Sequence, residues 1–175
     1  MKIEVLRLTH RKNRDIRVST HCCLVSRAFG VSKIYYTGDK DEGLEKTVKN
    51  VNGNWGSKFS VEYVGESLNN TLRLISLKKK QGFRIIHLTM YGLEFEKSVK
   101  LLKKLKKLFI VVGSEKVDSE IYKIADYNLS VANQPHSEIA ALAVLVYELN
   151  NRKFVKIKGK IKIKPSNRLK IVENN

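Results

Sequence analysis

A chain of 175 residues has room for one domain with a small appendage, and at that size roughly 70% of the unfolded surface can be buried without disulfide staples. Lys and Arg number 34 against 17 Asp and Glu, a net charge of +17, while 42% of the residues are apolar and spread along the whole chain, which excludes disorder. The longest apolar run, Ile139 to Tyr147, is nine residues and too short to span a bilayer. No signal peptide is expected, because Lys2, Glu4 and Arg7 interrupt the N-terminal apolar stretch. The two cysteines, Cys22 and Cys23, are adjacent and poorly placed to bridge, which fits a reducing, cytoplasmic compartment.

In chain order, Ile3–Leu8 reads as a strand, followed by an Arg-rich loop at 9–17. Val18–Phe29 has helical character and stops at Gly30. Further strands are predicted at Lys33–Thr37, Phe59–Val64, Arg84–Thr89, Phe109–Val112 and Asn128–Ala132. Helices are predicted near 41–51, 67–80, 93–107, 118–125 and 137–150. This alternation predicts an α/β fold with a mostly parallel sheet between helices, filling residues 1–150. In 93–107, Leu101, Leu105 and Leu108 form an apolar row with Val99 and Leu102 beside it. The helix from Ser137 to Asn150 is apolar nearly all round, which asks for sheet on one side and another subunit on the other.

Residues 151–175 differ in kind. Arg152 to Asn175 carries nine cations and one acid, +8 in 24 residues, leaving +9 for the other 151. Phe154–Lys158 and Lys160–Lys164, separated by Gly159, alternate with period two, predicting a basic β-hairpin or ribbon ended by Pro165. Its Lys face either follows a phosphate backbone or only guards an exposed edge. The charge as a whole points to a polyanion, nucleic acid first and an anionic membrane second.

Ligands of parallel sheets bind at the carboxyl ends of strands, so the loops after Leu88, Val112 and Ala132 come first. Gly113 serves a turn or a ligand, and Ser137 caps a helix or meets a ligand. His10, His21, His87 and His136 are too dispersed for a local metal motif, and no metal is expected. In the Arg-rich loop, Arg11, Arg14 and Arg17 surround Asp15, either as a buried Arg–Asp network or as an anion-recognising group.

Four phrases carry a resemblance: LTMYG over Leu88–Gly92, VVGSEKV over Val111–Val117, NQPHSEIAALAV over Asn133–Val144, and H-R-x-x-R-D-x-R-V-x-T-H over His10–His21. Together they resemble the archaeal tRNA cytidine-56 2′-O-methyltransferases of the knotted SPOUT superfamily, over residues 1 to about 150, with the basic tail matching that family's C-terminal extension. The resemblance implies a C-terminal trefoil knot, a family exception to unthreaded connections. It implies S-adenosylmethionine bound by Leu88, by Gly113, Ser114, Glu115, Lys116 and Val117, and by Val131, Ala132, Asn133, Gln134, Pro135, His136, Ser137 and Glu138. The implied substrate is the ribose 2′-hydroxyl of cytidine 56 in the TΨC loop of tRNA, and the implied assembly is a homodimer. Related enzymes place an Asn and an Arg before or in the first helix. Here that Asn is absent, so Arg17, or second Arg27, stands in as the group facing the ribose, while Arg11 or Arg14 grips phosphate. The competing class is a non-catalytic RNA-binding α/β domain, which explains the charge but not the three loops.

Overall fold

A computed structural model describes residues 1–14, 16–113 and 116–174. Strands β1 (Lys2–His10), β2 (Lys33–Gly38), β3 (Ser60–Gly65), β4 (Arg84–Leu93), β5 (Lys107–Val112) and β6 (Tyr127–Leu129) form one sheet in the order β3-β2-β1-β5-β4-β6. All its pairings are parallel. The connections are the helices α1 (Ile16–Ala28), α2 (Glu42–Trp55), α3 (Leu68–Lys80), α4 (Phe95–Leu102) and α5 (Ser119–Ile124), and α6 (Glu138–Leu149) follows the last strand.

Side-chain alternation along each strand supplies two apolar layers. Ile3, Val5, Ile34, Ile86, Ile110 and Val112 pack with Cys22, Leu44, Val99 and Leu142 on one face. Leu6, Leu8, Ile85, Phe109 and Val111 pack with Ile75 and Ile121 on the other. This is why Phe109–Val112 is uninterrupted in apolarity: the central strand has no face toward water. Helix starts are set by side-chain caps, Asp41 accepting from the Leu44 amide, Ser67 from Asn70, Asp118 from Glu120 and Ser137 from Ile139.

Three expectations need correction. The helix read over 93–107 ends at Leu102, where short turns at Lys104 and Leu105 bring the chain into β5. Val99 and Leu102 face the core there, whereas Leu101 is exposed and Leu108 is a strand residue. The strand read over Asn128–Ala132 is only Tyr127–Leu129. In the tail, Lys160–Lys164 does not pair with Phe154–Lys158. Strand β7 (Ile161–Lys164) pairs antiparallel with β8 (Ile171–Asn174), and Pro165 falls in the connection. Residues 154–158 are used otherwise: Phe154 stacks on Tyr147 and meets Phe29 edge-on, and Val155 lies against Gly30. Period two identifies an extended chain but not its partner.

Helix α6 buries Ala141, Leu142, Leu145, Val146 and Leu149, and packs against α1, α4 and β4 of the same chain. Its apolar character is therefore mostly satisfied internally, leaving Ala140 and Val144 exposed.

Candidate active site

The β4 chain is irregular where the site forms. Leu129 of β6 pairs with both Leu88 and Leu93, so residues 89–92 loop outward between two paired positions. Gly92 lies so close to the 128–129 backbone that an added Cβ would stand 2.5 Å from the Leu129 carbonyl carbon. Asn133 ties the loop from the other side, its Nδ2 donating to the Met90 carbonyl at 2.8 Å and the Gly92 carbonyl at 3.2 Å.

A cavity of about 520 Å³ opens here, at the carboxyl ends of β1, β4 and β5. Of the residues expected to hold a cofactor, Leu88, Gly113, Val117, Val131, Pro135, His136 and Glu138 line it, and Arg11 and Arg14 line it as well. Ala132, Asn133, Gln134 and Ser137 belong to the same loop but not to the lining; Asn133 is the clamp just described, and Ser137 caps α6. Lys116 faces a neighbouring cavity with Thr9, Thr37 and Glu66. Ser114, Glu115 and Asp15 lie outside the described residues.

The two arginines expected to face the ribose do not line this cavity. Arg17 is exposed in the first turn of α1. Arg27 is ten residues further along that helix, a rise of about 15 Å. Its Nε donates to Asn52 Oδ1 at 3.0 Å and its Nη2 to the Gly56 carbonyl, joining α1 to the end of α2. Burial lowers its pKa.

Arg7 takes the place at the cavity, and reading the loops alone misses it. It projects from β1, is 1% exposed, donates from Nη1 to the Leu8 carbonyl at 2.8 Å, and lies 3.3 Å from Glu138 Oε1 through Nη2. A cation inside the apolar run Val5-Leu6-Arg7-Leu8 is the signal that could have found it, because an unpartnered charge is not tolerated in a strand covered on both faces. His87, inside Ile85-Ile86-His87-Leu88, is the parallel case on the opposite face of the sheet. Asn128 Nδ2 donates to the Tyr122 carbonyl, so its Oδ1 accepts from His87 Nδ1 at 2.8 Å. That tautomer leaves Nε2 as an acceptor, and it has no hydrogen-bond partner among the described residues. Burial pushes the His87 pKa below its ordinary value, and the Asn128 contact only partly offsets this. Tyr122, edge-on to His87 at 4.6 Å, and Thr89, 3.0 Å from the Tyr122 hydroxyl, complete this wall.

The site therefore has an apolar end with few polar groups and a cationic end held by one carboxylate. The apolar end suits a nucleoside: Leu88, Val131 and Pro135 offer surfaces to a flat ring. No group of three or more His, Cys, Asp or Glu among the described residues is arranged to hold a metal ion.

The family model described as tRNA ribose 2′-O-methyltransferase, aTrm56, matches residues 55–173. The chain belongs to this family. The tRNA (cytidine(56)-2′-O)-methyltransferase of Methanocaldococcus jannaschii is 44% identical over 178 residues, covering 98% of this chain and 96% of that protein. Its namesake from Methanopyrus kandleri is 40% identical over 174 residues, covering 97% and 94%. The one from Pyrococcus horikoshii is 46% identical over 179 residues, covering 98% and 85%. Among solved structures, the SpoU methyltransferase AviRb of Streptomyces viridochromogenes, in complex with its cofactor AdoMet, superposes with a TM-score of 0.62 at 16% identity, covering 86% of this chain and 57% of that one. The A. aeolicus TrmH/SpoU tRNA modifying enzyme gives 0.56 at 18% identity, covering 86% and 75%. At these identities the likeness to the SpoU structures is one of fold.

Proposed function

We propose that the chain transfers the methyl group of S-adenosylmethionine to the ribose 2′-hydroxyl of cytidine 56 in tRNA. The observation that carries this reading is the two-ended cavity, placed on the three loops that hold the family motifs. S-adenosylmethionine, when bound, supplies a methyl group already activated by its sulfonium. Leu88, Gly113, Val117, Val131 and Pro135 hold the adenosyl half. The chain's remaining task is the hydroxyl, a poor nucleophile while its proton is in place. Arg7 stabilises the negative charge developing on the ribose oxygen, the role expected of Arg17. Arginine stays protonated, with a pKa above ~12, and is no proton acceptor. Glu138, the one carboxylate among the described lining residues, is placed beside Arg7 to take the proton. Arg11 and Arg14 grip neighbouring phosphates. Positioning for in-line displacement supplies much of the acceleration.

Four further parts belong to this reading. The bulged pairing of Leu129 with both Leu88 and Leu93, with Gly92 close against the 128–129 backbone, supports the reading of a trefoil knot. Exposed Ala140 and Val144 on α6 support a homodimer, for which light scattering should give about twice 20.1 kDa; a monomer active at all dilutions would refute it. The basic β7–β8 hairpin serves non-specific RNA affinity. Buried free thiols at Cys22 and Cys23, with burial pushing Cys22 up to about 12, fit a reducing cytoplasm.

Incubation with methyl-labelled S-adenosylmethionine and a tRNA transcript, followed by nuclease mapping, tests the activity. Label should appear at nucleotide 56 and vanish when that nucleotide is 2′-deoxycytidine. Label on a base, or equal label on the deoxy transcript, would overturn the reading.

A further inference from the structure

We infer that Tyr91 is a stacking platform for the base of the RNA nucleotide whose ribose enters the cavity; the inference rests on the methyl-transfer reading above. Tyr91 lines the cavity yet is 76% exposed. Exposure of one large side chain is ordinary on a protein surface. What sets this ring apart is the way its backbone is fixed. The carbonyls of Met90 and Gly92, on either side of it, both accept from Asn133 Nδ2. Its own amide donates to Thr89 Oγ1 at 3.4 Å. Leu88 and Leu93, flanking the loop, both pair with Leu129. The loop is held at both ends and in the middle while the ring it carries projects toward solvent. A ring presented in this way loses little entropy when a partner arrives, since only two side-chain torsions remain to be fixed.

The chemistry of the rest of the cavity says what the partner is. Arg7, Arg11 and Arg14 line the same cavity and suit a ribose oxygen and phosphates. An aromatic face beside guanidinium groups is the recurring arrangement for an unstacked nucleotide. A concave pocket admits a ribose most readily once its nucleotide has left the stack, and the base then needs a new surface. Tyr91 supplies that surface independently of base identity, because stacking uses the π-face. Selection of a cytosine must come from other contacts.

The test compares Tyr91→Ala and Tyr91→Phe with the unaltered protein, using a T-arm RNA carrying a fluorescent cytidine analogue at the target position. S-adenosylhomocysteine in the binding assay keeps the fluorescence readout independent of turnover. Stacking should quench the analogue with the unaltered protein and with Tyr91→Phe, and the quench should be lost with Tyr91→Ala. The KM for tRNA should rise about tenfold or more in Tyr91→Ala and hold in Tyr91→Phe, while calorimetry shows an unchanged cofactor Kd. A weakened cofactor Kd with an unchanged RNA KM would overturn the inference and place the ring over the adenosyl group. Unchanged quenching and KM in Tyr91→Ala would overturn it too. Normal quenching without methyl transfer by the unaltered protein would instead remove the methyl-transfer reading and leave the stacking contact in place.

Discussion

His10 and Asp41 meet at 3.2 Å beneath the arginine loop, although 31 residues separate them in sequence. The other ring nitrogen of His10 lies 2.8 Å from the Ser19 hydroxyl, so one fully buried imidazole joins the end of β1, the start of α1 and the cap of α2. The loop carrying Arg11 and Arg14 is the chain between two of those points. Asp39 adds a second tie, accepting from the Lys12 amide at 2.8 Å and donating its own amide to the His10 carbonyl at 2.8 Å. The resemblance to a Ser-His-Asp triad is geometric only, because a hydroxyl buried under a helix meets no substrate.

His10→Ala should therefore cost stability and RNA handling together. Removing the imidazole leaves the buried Ser19 and Asp41 groups each without that partner, a cost of about 1–3 kcal/mol by urea unfolding. The loop arginines lose their footing, so the KM for tRNA should rise while cofactor affinity persists. An unchanged tRNA KM in a folded variant would separate the network from the loop.

Acid should destabilise the protein over a defined window. Burial pushes the Asp41 carboxyl up, but the Leu44 amide and His10 outweigh it and hold the group below its ordinary value. Glu4 behaves likewise: burial raises it, while Lys78 at 2.6 Å and Lys2 at 2.9 Å bring it below the usual range. Their unfolded values are about 3.9 and 4.3. The unfolded chain thus binds these protons more tightly, so the stabilisation is complete above those values and is lost as pH falls through the lower folded ones. Urea midpoints should begin to fall below about pH 6.5, where the unfolded chain protonates His87 more readily than the buried ring does. They should fall further below about pH 4 as these carboxylates take up protons. Asp41→Asn should flatten part of that acid limb; an identical limb would remove Asp41 from the account.

The cationic end of the cavity gives a contrast among three arginines. Arg7→Lys keeps the charge beside Glu138 but loses the planar fork, and turnover should fall about 10²–10³-fold if the contact acts in the transition state. Ground-state affinities should change little. Arg17→Ala should leave the chemical step nearly intact. Arg27→Ala should lower stability, since its contacts are Asn52 and Gly56, without a matching loss in turnover once folded. Full activity in Arg7→Lys would return the role to the loop arginines.

The three arginines also show which features a sequence discloses. Strands covered on both faces are legible because Ile, Val, Leu and Phe follow one another without a polar face. The helix cap at Ser137 is legible because one hydroxyl before an apolar run has a local job. Arg27 reads as close to the chemistry because helical membership does not tell which end of a helix faces the site. Arg7 and His87 escape a reading centred on loops, since each is a polar group inside a strand, where its burial is the informative feature. The Asn133 clamp joins residues over 40 positions apart and has no local signature.

Truncation after Gly159 should weaken tRNA binding and flatten its salt dependence. It removes β7 and β8 with five cations and one acid from 160–174, while Phe154 and Val155 keep their contacts with Phe29 and Gly30. Each phosphate no longer neutralised by a tail cation lowers the slope of log K against log salt by about 0.9 on duplex and somewhat less on single strands. Cofactor affinity should persist, and an unaltered slope would reduce the lysine face to an edge guard. Cutting after Asn150 is the poorer experiment, because it also strips Phe154 from the aromatic group at the ends of α1 and α6.

Gly113→Val tests where the cofactor lies. Gly113 follows the last residue of β5 and lines the cavity, and an added Cβ there would stand 2.1 Å from Val117 Cγ2. Both side chains are β-branched and stiff, so one of them must be displaced, and the cavity is the space open to receive it. Affinity for S-adenosylmethionine should fall while the sheet, whose strands do not include Gly113, still forms. Thermal unfolding with and without cofactor checks both at once. For the unaltered protein, cofactor at 100 times its Kd should add about 2.7 kcal/mol of stability. The variant should unfold at a somewhat lower temperature alone, since overpacking costs about 1–3 kcal/mol, and gain little from cofactor. An equal gain in the variant would mean that the adenosyl group does not pass Gly113, and the pocket would have to be moved toward His87 and Tyr122.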